Sequence, residues 1–482
     1  MVQNKYKILT LLFSLLFLPP LTQAENKLPE IGTVGAGALT IAEEKEYGWA
    51  FQLMVNQKLP VIQDPVLNYY IDELGDNLVA NADSVKLPFH FFLIKDKEIN
   101  AAAFLGGNIK INSGLFLYAT NESELASVIA HEIAHITQRH LARMLEQQSL
   151  SNPASLAALA GSVLLSLVSP AAGVAALTTT LAITTQSQIN YTRSHEYEAD
   201  RIGIQTLVKA GYNPYGMAEF FSKLAQKYQY ASALPEMLST HPLTETRLAE
   251  ARLRASQFPA TQVKNSLDYQ LSRARITVRY NNITAENAIN IYQSELKNST
   301  YQLKQAALYG LALSYFNNKD FKKSDEIASN LLTEQPNNLF YIDLLSDTSI
   351  ALKQVDKIIP ILTEHYKKSP ENAVYVLNLT QALMVNNQFQ EASKIIELFI
   401  RSHPNHTLAH RMAIDIYKKL QDKAKEFNVH AQYLALQGRF KEASQEMANA
   451  LAYTDNKLDQ ARYSAKIEIY KQSDVRLQAL QK

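Results

Sequence analysis

The chain has 482 residues, with 47 Lys plus Arg against 46 Asp plus Glu, a formal charge of +1 and no cysteine. This length allows two or three domains, and the near-neutral charge gives no electrostatic reason to expect a nucleic acid as partner. Without cysteine there can be no disulfide, thiolate metal ligand, cysteine nucleophile or lipid-modified cysteine.

Residues 1–24 have the form of a secretory signal: Lys5 and Lys7, an apolar run over 8–18, Pro19 and Pro20, then a cleavage-like Thr22-Gln23-Ala24. The run is short for a bilayer-spanning helix, so the sequence predicts removal after Ala24 and a bacterial periplasm as destination, the alternative being secretion past it. A polar linker leads to two predicted helices, 43–58 and 64–81. The second has Asp64 as N-cap, Pro65 in its first turn and Leu67, Tyr70, Ile71, Leu74 and Leu78 on one face. Strands are predicted over 89–94 and, after Gly106-Gly107, over 108–111.

The span 121–138 reads as an amphipathic helix, with Asn121 and Glu124 as an N-terminal capping pair and Leu125, Val128, Ile129 and Ile136 at helical spacing. It carries His131-Glu132-Ile133-Ala134-His135. Residues i and i+4 share a helix face, so the two imidazoles can bind one ion, while Glu132 can take a proton from water at the ion's open position. By composition this pattern arises by chance only about 0.01–0.02 times in such a chain. The alternative is two surface histidines flanking a solvated glutamate. The strand just upstream (Asn108, Ile109, Lys110, Ile111 and Asn112) is the candidate sheet edge to which an extended peptide could add, the alternative being an interior strand.

No charged residue occurs over 147–192, and the stretch 156–183 is rich in Ala, Leu and Val. Pro170 and Gly173 divide it into pieces short for a membrane span, so it reads either as a buried helical hairpin or as an element facing a membrane or partner.

A catalytic zinc needs a third protein ligand. The candidates are His140, His195, Glu196, Glu198 and His241. Nine residues after His131, His140 should point about half a turn off the ligand face and lie at the surface. In His195-Glu196-Tyr197-Glu198-Ala199-Asp200, Glu196 and Asp200 stand at i and i+4, so one carboxylate can bind metal while the other fixes a ligand imidazole. Small Ala199 would let two helices approach, and His195 remains a rival ligand.

From about Leu303 the chain repeats: Pro336, Pro370 and Pro404 recur every 34 residues, and Phe321 and Phe389 are two such periods apart. This is the tetratricopeptide period, with Leu311, Ala312 and Tyr315 in register with Leu345, Ser346 and Ser349 and then with Leu379, Thr380 and Leu383. The stretch 438–443 matches 387–392 at a displacement of 51 residues, so about half a repeat is inserted. Stacked helix pairs would form a concave surface suited to a segment of another protein, the alternative being a plain helical bundle.

The motif at 131–135, Glu196-x-x-Ala199-Asp200 about 60 residues later, the stretch 106–115, the export signal and the repeat array together resemble the HtpX-related gluzincin metallopeptidases. The likeness is to their exported, repeat-bearing members that act in outer-membrane β-barrel assembly, and it spans nearly the whole mature chain. It implies an α+β architecture: a mostly helical zincin-type metallopeptidase domain with a small sheet at 25–265, then an all-α tetratricopeptide solenoid at 266–482. It further implies one Zn2+ per chain on His131, His135 and Glu196, with Glu132 as general base and Asp200 supporting a ligand. His241, within His241-Pro242-Leu243-Thr244-Glu245-Thr246-Arg247, would approach the metal as a fourth ligand that keeps the enzyme latent, and Arg247 would support the site or the oxyanion. The implied activity is zinc-dependent endopeptidase cleavage of misfolded or stalled outer-membrane proteins, with a chaperone-like role and docking of the repeats to the β-barrel assembly machinery. A competing reading is an interaction scaffold with a permanently closed, structural zinc site, for which Glu132 would have no use.

Overall fold

Helix starts in this chain are written in short polar side chains. In the computed structural model, which describes residues 39–151, 185–230, 236–259 and 266–480, Thr40 and Glu43 cap α1 (Ile41–Lys58) reciprocally. The Asp64 carboxylate accepts from the amides of Val66 and Leu67 to open α2 (Pro65–Ala80), whose apolar face of Leu67, Ile71, Leu74 and Leu78 is buried. The signal at 1–24 and the apolar stretch 156–183 lie outside the described residues, as does the boundary expected at 265. No helix among the described residues is long and apolar enough to cross a membrane.

Three strands follow: β1 (His90–Ile94), β2 (Ala101–Phe104) and β3 (Asn108–Asn112), in the spatial order β1-β3-β2. β1 runs parallel to β3 and β2 antiparallel to it. The expected edge at Asn108–Asn112 is therefore the central strand, bonded on both sides, with Asn108, Ile109, Ile111 and Asn112 buried and Lys110 half-buried. The strand that takes the edge, Ala101–Phe104, is alanine-rich and weak in strand propensity. It returns to β3 through Gly106 and Gly107, at φ 74° and 81°. A Cβ on Gly107 would meet the Pro88 carbonyl oxygen at 1.8 Å, and one on Gly106 would meet Gly48 Cα at 2.5 Å.

After α3 (Ser113–Tyr118) comes the motif helix α4 (Glu122–Thr137). Asn121 accepts from the Glu124 amide at 3.0 Å, while the Glu124 carboxylate turns back to the amide and hydroxyl of Thr120. Leu125, Ala126, Ile129, Ala130 and Ile133 anchor the helix in the core. Arg139 at φ 54° then breaks the chain away into α5 (His140–Ser151). α6 (Thr185–Lys209) lies along α4, with Ala199 packed on Ala134 and the Gly203 backbone against that of His131. α7 (Gly216–Tyr228), α8 (Glu236–Thr240) and α9 (Glu245–Ala255) complete this part.

From Leu267 the described residues form a long helical solenoid resembling tetratricopeptide repeats. Its helices are α10 (Leu267–Tyr280), α11 (Ala285–Asn298), α12 (Lys304–Asn317), α13 (Phe321–Glu334), α14 (Leu339–Ala351), α15 (Val355–Lys368), α16 (Ala373–Val385), α17 (Phe389–Ser402), α18 (Thr407–Leu420), α19 (Lys423–Leu436), α20 (Phe440–Ala452) and α21 (Lys457–Leu480). Pro336, Pro370 and Pro404 each follow the second helix of a pair, and the registered apolar and small residues of α12, α14 and α16 are buried, with Tyr315 half-buried. Two helices, α18 and α19, separate α17 from α20 where the repeat needs one, which accounts for the displacement of 51 residues.

The solenoid grips the first part at both ends. Arg275 of α10 is fully buried, its Nε 2.6 Å from Asp64 and its Nη1 2.7 Å from Asp343 and 2.8 Å from the Tyr309 hydroxyl. At the far end Leu53 of α1 packs with Phe440, Met447 and Tyr470, and the Arg476 guanidinium lies 4.2 Å over the Trp49 ring.

Candidate metal centre

His131 and His135, one turn apart on α4, turn Nε2 atoms 3.0 Å apart toward a common point. From α6, Glu196 brings Oε2 to 3.4 Å from His131 Nε2 and Oε1 to 3.4 Å from His135 Nε2. His241 arrives from the segment between α8 and α9. Its amide donates to the Met237 carbonyl at 2.8 Å, Pro242 stops further helix, and its Nδ1 lies 3.4 Å from His131 Nε2 and 3.0 Å from Glu196 Oε1. These four donor atoms all lie within 4.8 Å of one another. Zinc–ligand bonds of about 2.0–2.2 Å place tetrahedral donors about 3.3 Å apart, so the residue types and spacings fit one zinc ion.

The supporting shell is charged and buried. Asp200, one turn beyond Glu196, sets Oδ1 3.0 Å from His131 Nδ1. Arg247 clamps it with Nε and Nη2, each at 2.7 Å, and spends Nη1 on Glu196 at 2.9 Å and on the Pro242 carbonyl at 2.9 Å. The Glu132 carboxylate accepts from the Ala103 amide at 2.9 Å and has its other oxygen 3.6 Å from His241 Nε2.

Burial works against ionising Glu196, but His241, His131 and His135 outweigh it and hold its carboxyl well below the usual range. Burial likewise opposes charge on His131, yet Asp200 and Glu196 push its pKa up to about 10. The carboxylates thus create a field that favours a cation at this point. For Glu132 burial prevails over His241 and His131 and raises its carboxyl, the direction a proton acceptor working near neutral pH needs.

Residues 65–255 match the sequence profile of peptidase family M48. A putative β-barrel assembly-enhancing protease of Vibrio cholerae is 44% identical over 453 residues, covering 94% of each chain. The chain belongs to this family of proteases. The β-barrel assembly-enhancing protease of Escherichia coli (strain K12) is 38% identical over 455 residues, covering 94% of this chain and 93% of its own. Among solved structures, a tetratricopeptide repeat protein from Parabacteroides merdae overlaps 54% of this chain and 98% of its own at 14% identity, with a TM-score of 0.29.

In this chain the rival ligand His195 stands outside the donor set, its ring stacked on His140 at 4.2 Å. His140 departs from the surface position expected of it. It is buried, with Nδ1 2.9 Å from His135 Nδ1, because α4 ends at Thr137 and counting 100° per residue fails across the turn at Arg139. Glu198 binds His140 Nε2 at 3.0 Å and Arg143 at 2.7 Å. The missed edge strand lines a cleft of about 220 Å³ with Glu132, His135 and His241, Ala102–Phe104 forming one wall. Two short runs either side of a glycine turn were the hairpin signal that could have found it.

Proposed function

We propose that the chain is a zinc-dependent endopeptidase of the periplasm that removes misfolded or stalled outer-membrane proteins and is latent by default. The observation that carries this reading is the position of His241, which completes the donor set of His131, His135 and Glu196 and also faces Glu132. A zinc ion held by these residues would supply Lewis acidity to a peptide carbonyl and to water. Glu132 takes the proton of the attacking water, and the Ala103 amide holds its carboxylate in place. His241 occupies the space a water between Glu132 and the donor set requires, so its withdrawal starts catalysis. The β2 edge, with no partner strand on the side away from β3 among the described residues, supports an extended peptide along the cleft.

The export-like signal, and the relatives' name as β-barrel assembly-enhancing proteases, support the compartment and the substrate class. The solenoid supports docking to the β-barrel assembly machinery and a chaperone-like role. A membrane contact through 156–183 remains part of the proposal from composition alone. The decisive test replaces Glu132 by Gln: zinc binding persists while cleavage of an unfolded outer-membrane protein is lost. Undiminished cleavage would overturn the mechanism.

A further inference from the structure

A neutral imidazole that binds a metal through Nε2 carries its proton on Nδ1, and that N–H must find an acceptor. His131 has Asp200 for this purpose. Among the described residues no carboxylate takes that place at His135; the atom 2.9 Å from its Nδ1 is Nδ1 of His140.

The direction of the chain of contacts is then determined. If His140 Nδ1 accepts from His135, its own proton sits on Nε2, 3.0 Å from Glu198 Oε2, which is an acceptor. The reverse arrangement fails twice. It would put a proton on His135 Nε2, among the donor atoms, and would set the bare Nε2 of His140 against the Glu198 carboxylate. Arg143 holds Glu198 at 2.7 Å, and the parallel ring of His195, 4.2 Å away at an interplanar angle of 5°, fixes the plane of His140.

We propose that His140 is a positioning residue of the metal centre. Through the relay His135 to His140 to Glu198, it fixes the tautomer and ring orientation that let His135 bind zinc. This rests on the zinc-peptidase reading. It assigns to His140, Glu198 and Arg143 a function that the ligand set does not include.

The test compares zinc affinity, by chelator competition, in the mature wild type, His140→Phe and His140→Asn, with thermal unfolding of each metal-free protein alongside. Phe keeps a ring to stack on His195 but offers no acceptor; Asn places an amide oxygen near the Nδ1 position. The expected result is a zinc dissociation constant raised about 10–100-fold in His140→Phe, the usual cost of losing such an outer partner, and largely restored in His140→Asn. Metal-free unfolding midpoints stay close to wild type. Unchanged zinc affinity in His140→Phe beside a zinc-binding wild type overturns the relay alone. A wild type that binds no zinc overturns the underlying reading. Equal weakening in the Phe and Asn variants with lowered metal-free midpoints makes His140 a packing residue and also overturns the proposal.

Discussion

The imidazole of His241 faces the carboxylate of Glu132 at 3.6 Å while its other nitrogen lies 3.0 Å from Glu196. One side chain therefore engages both Glu132 and the donor set, which is the contact the proposed latency rests on. In His241→Ala zinc stays on the remaining three ligands and cleavage of an unfolded protein rises. A resting enzyme with about 1–10% of molecules open predicts a rise of about 10–100-fold. Retained zinc without any gain in cleavage would favour the permanently closed, structural site.

Zinc content separates the two neighbouring candidates on α6. Glu196→Ala removes a donor with two contacts at 3.4 Å to the motif histidines, so the purified protein should lose its metal. His195→Ala removes a ring that stacks on His140 and is not one of the four donors. Metal analysis of this second variant should give about one zinc per chain.

What could be read in advance was periodic. Helix faces, the 34-residue repeat and the i, i+4 pairs on α4 and α6 all follow from spacing within one element, which the backbone enforces locally. What could not be read depended on how elements end and meet. Ala101–Phe104 lacks branched or aromatic residues over most of its length, and only its pairing with β3 makes it a strand. His140 was misplaced because one left-handed residue, Arg139, cancels the helical count. The Arg247 clamp joins α9 to two carboxylates on α6, a contact that no local pattern announces.

The edge strand gives a prediction in which metal and fold are held constant. Ala103→Pro deletes the amide that donates to Glu132 at 2.9 Å, and proline is tolerated at an edge where the N–H points away from the ladder. Loss of this charge-assisted bond should cost about 1.5–3 kcal/mol. In a His241→Ala background, zinc content should be unchanged and cleavage of an unfolded substrate should fall by at least about 10-fold. Normal cleavage would show that the Ala103 amide does not serve the reaction.

Arg275 lies where the solenoid meets α2, and both carboxylates it binds, Asp64 and Asp343, are buried with it. Burial alone would raise the Asp64 carboxyl, but Arg275 and Arg279 outweigh it and hold its pKa below the usual value. Stability from this pairing is therefore complete above the unfolded carboxyl pKa of about 3.9 and is lost as pH falls through the lower folded value. Arg275→Met reverses the sign: Asp64, buried without its main partner, has a raised pKa, so the variant gains stability as acid neutralises it. At pH 7 the substitution should cost about 3–5 kcal/mol, the penalty for leaving a buried charge unpaired. The gap to wild type should narrow steadily as pH is lowered toward about 4. Denaturant unfolding across this range measures both effects, and adding Asp64→Asn and Asp343→Asn to Arg275→Met should recover much of the loss at pH 7. A gap that stays constant with pH would mean that packing, rather than the ion cluster, fastens the solenoid to the peptidase part.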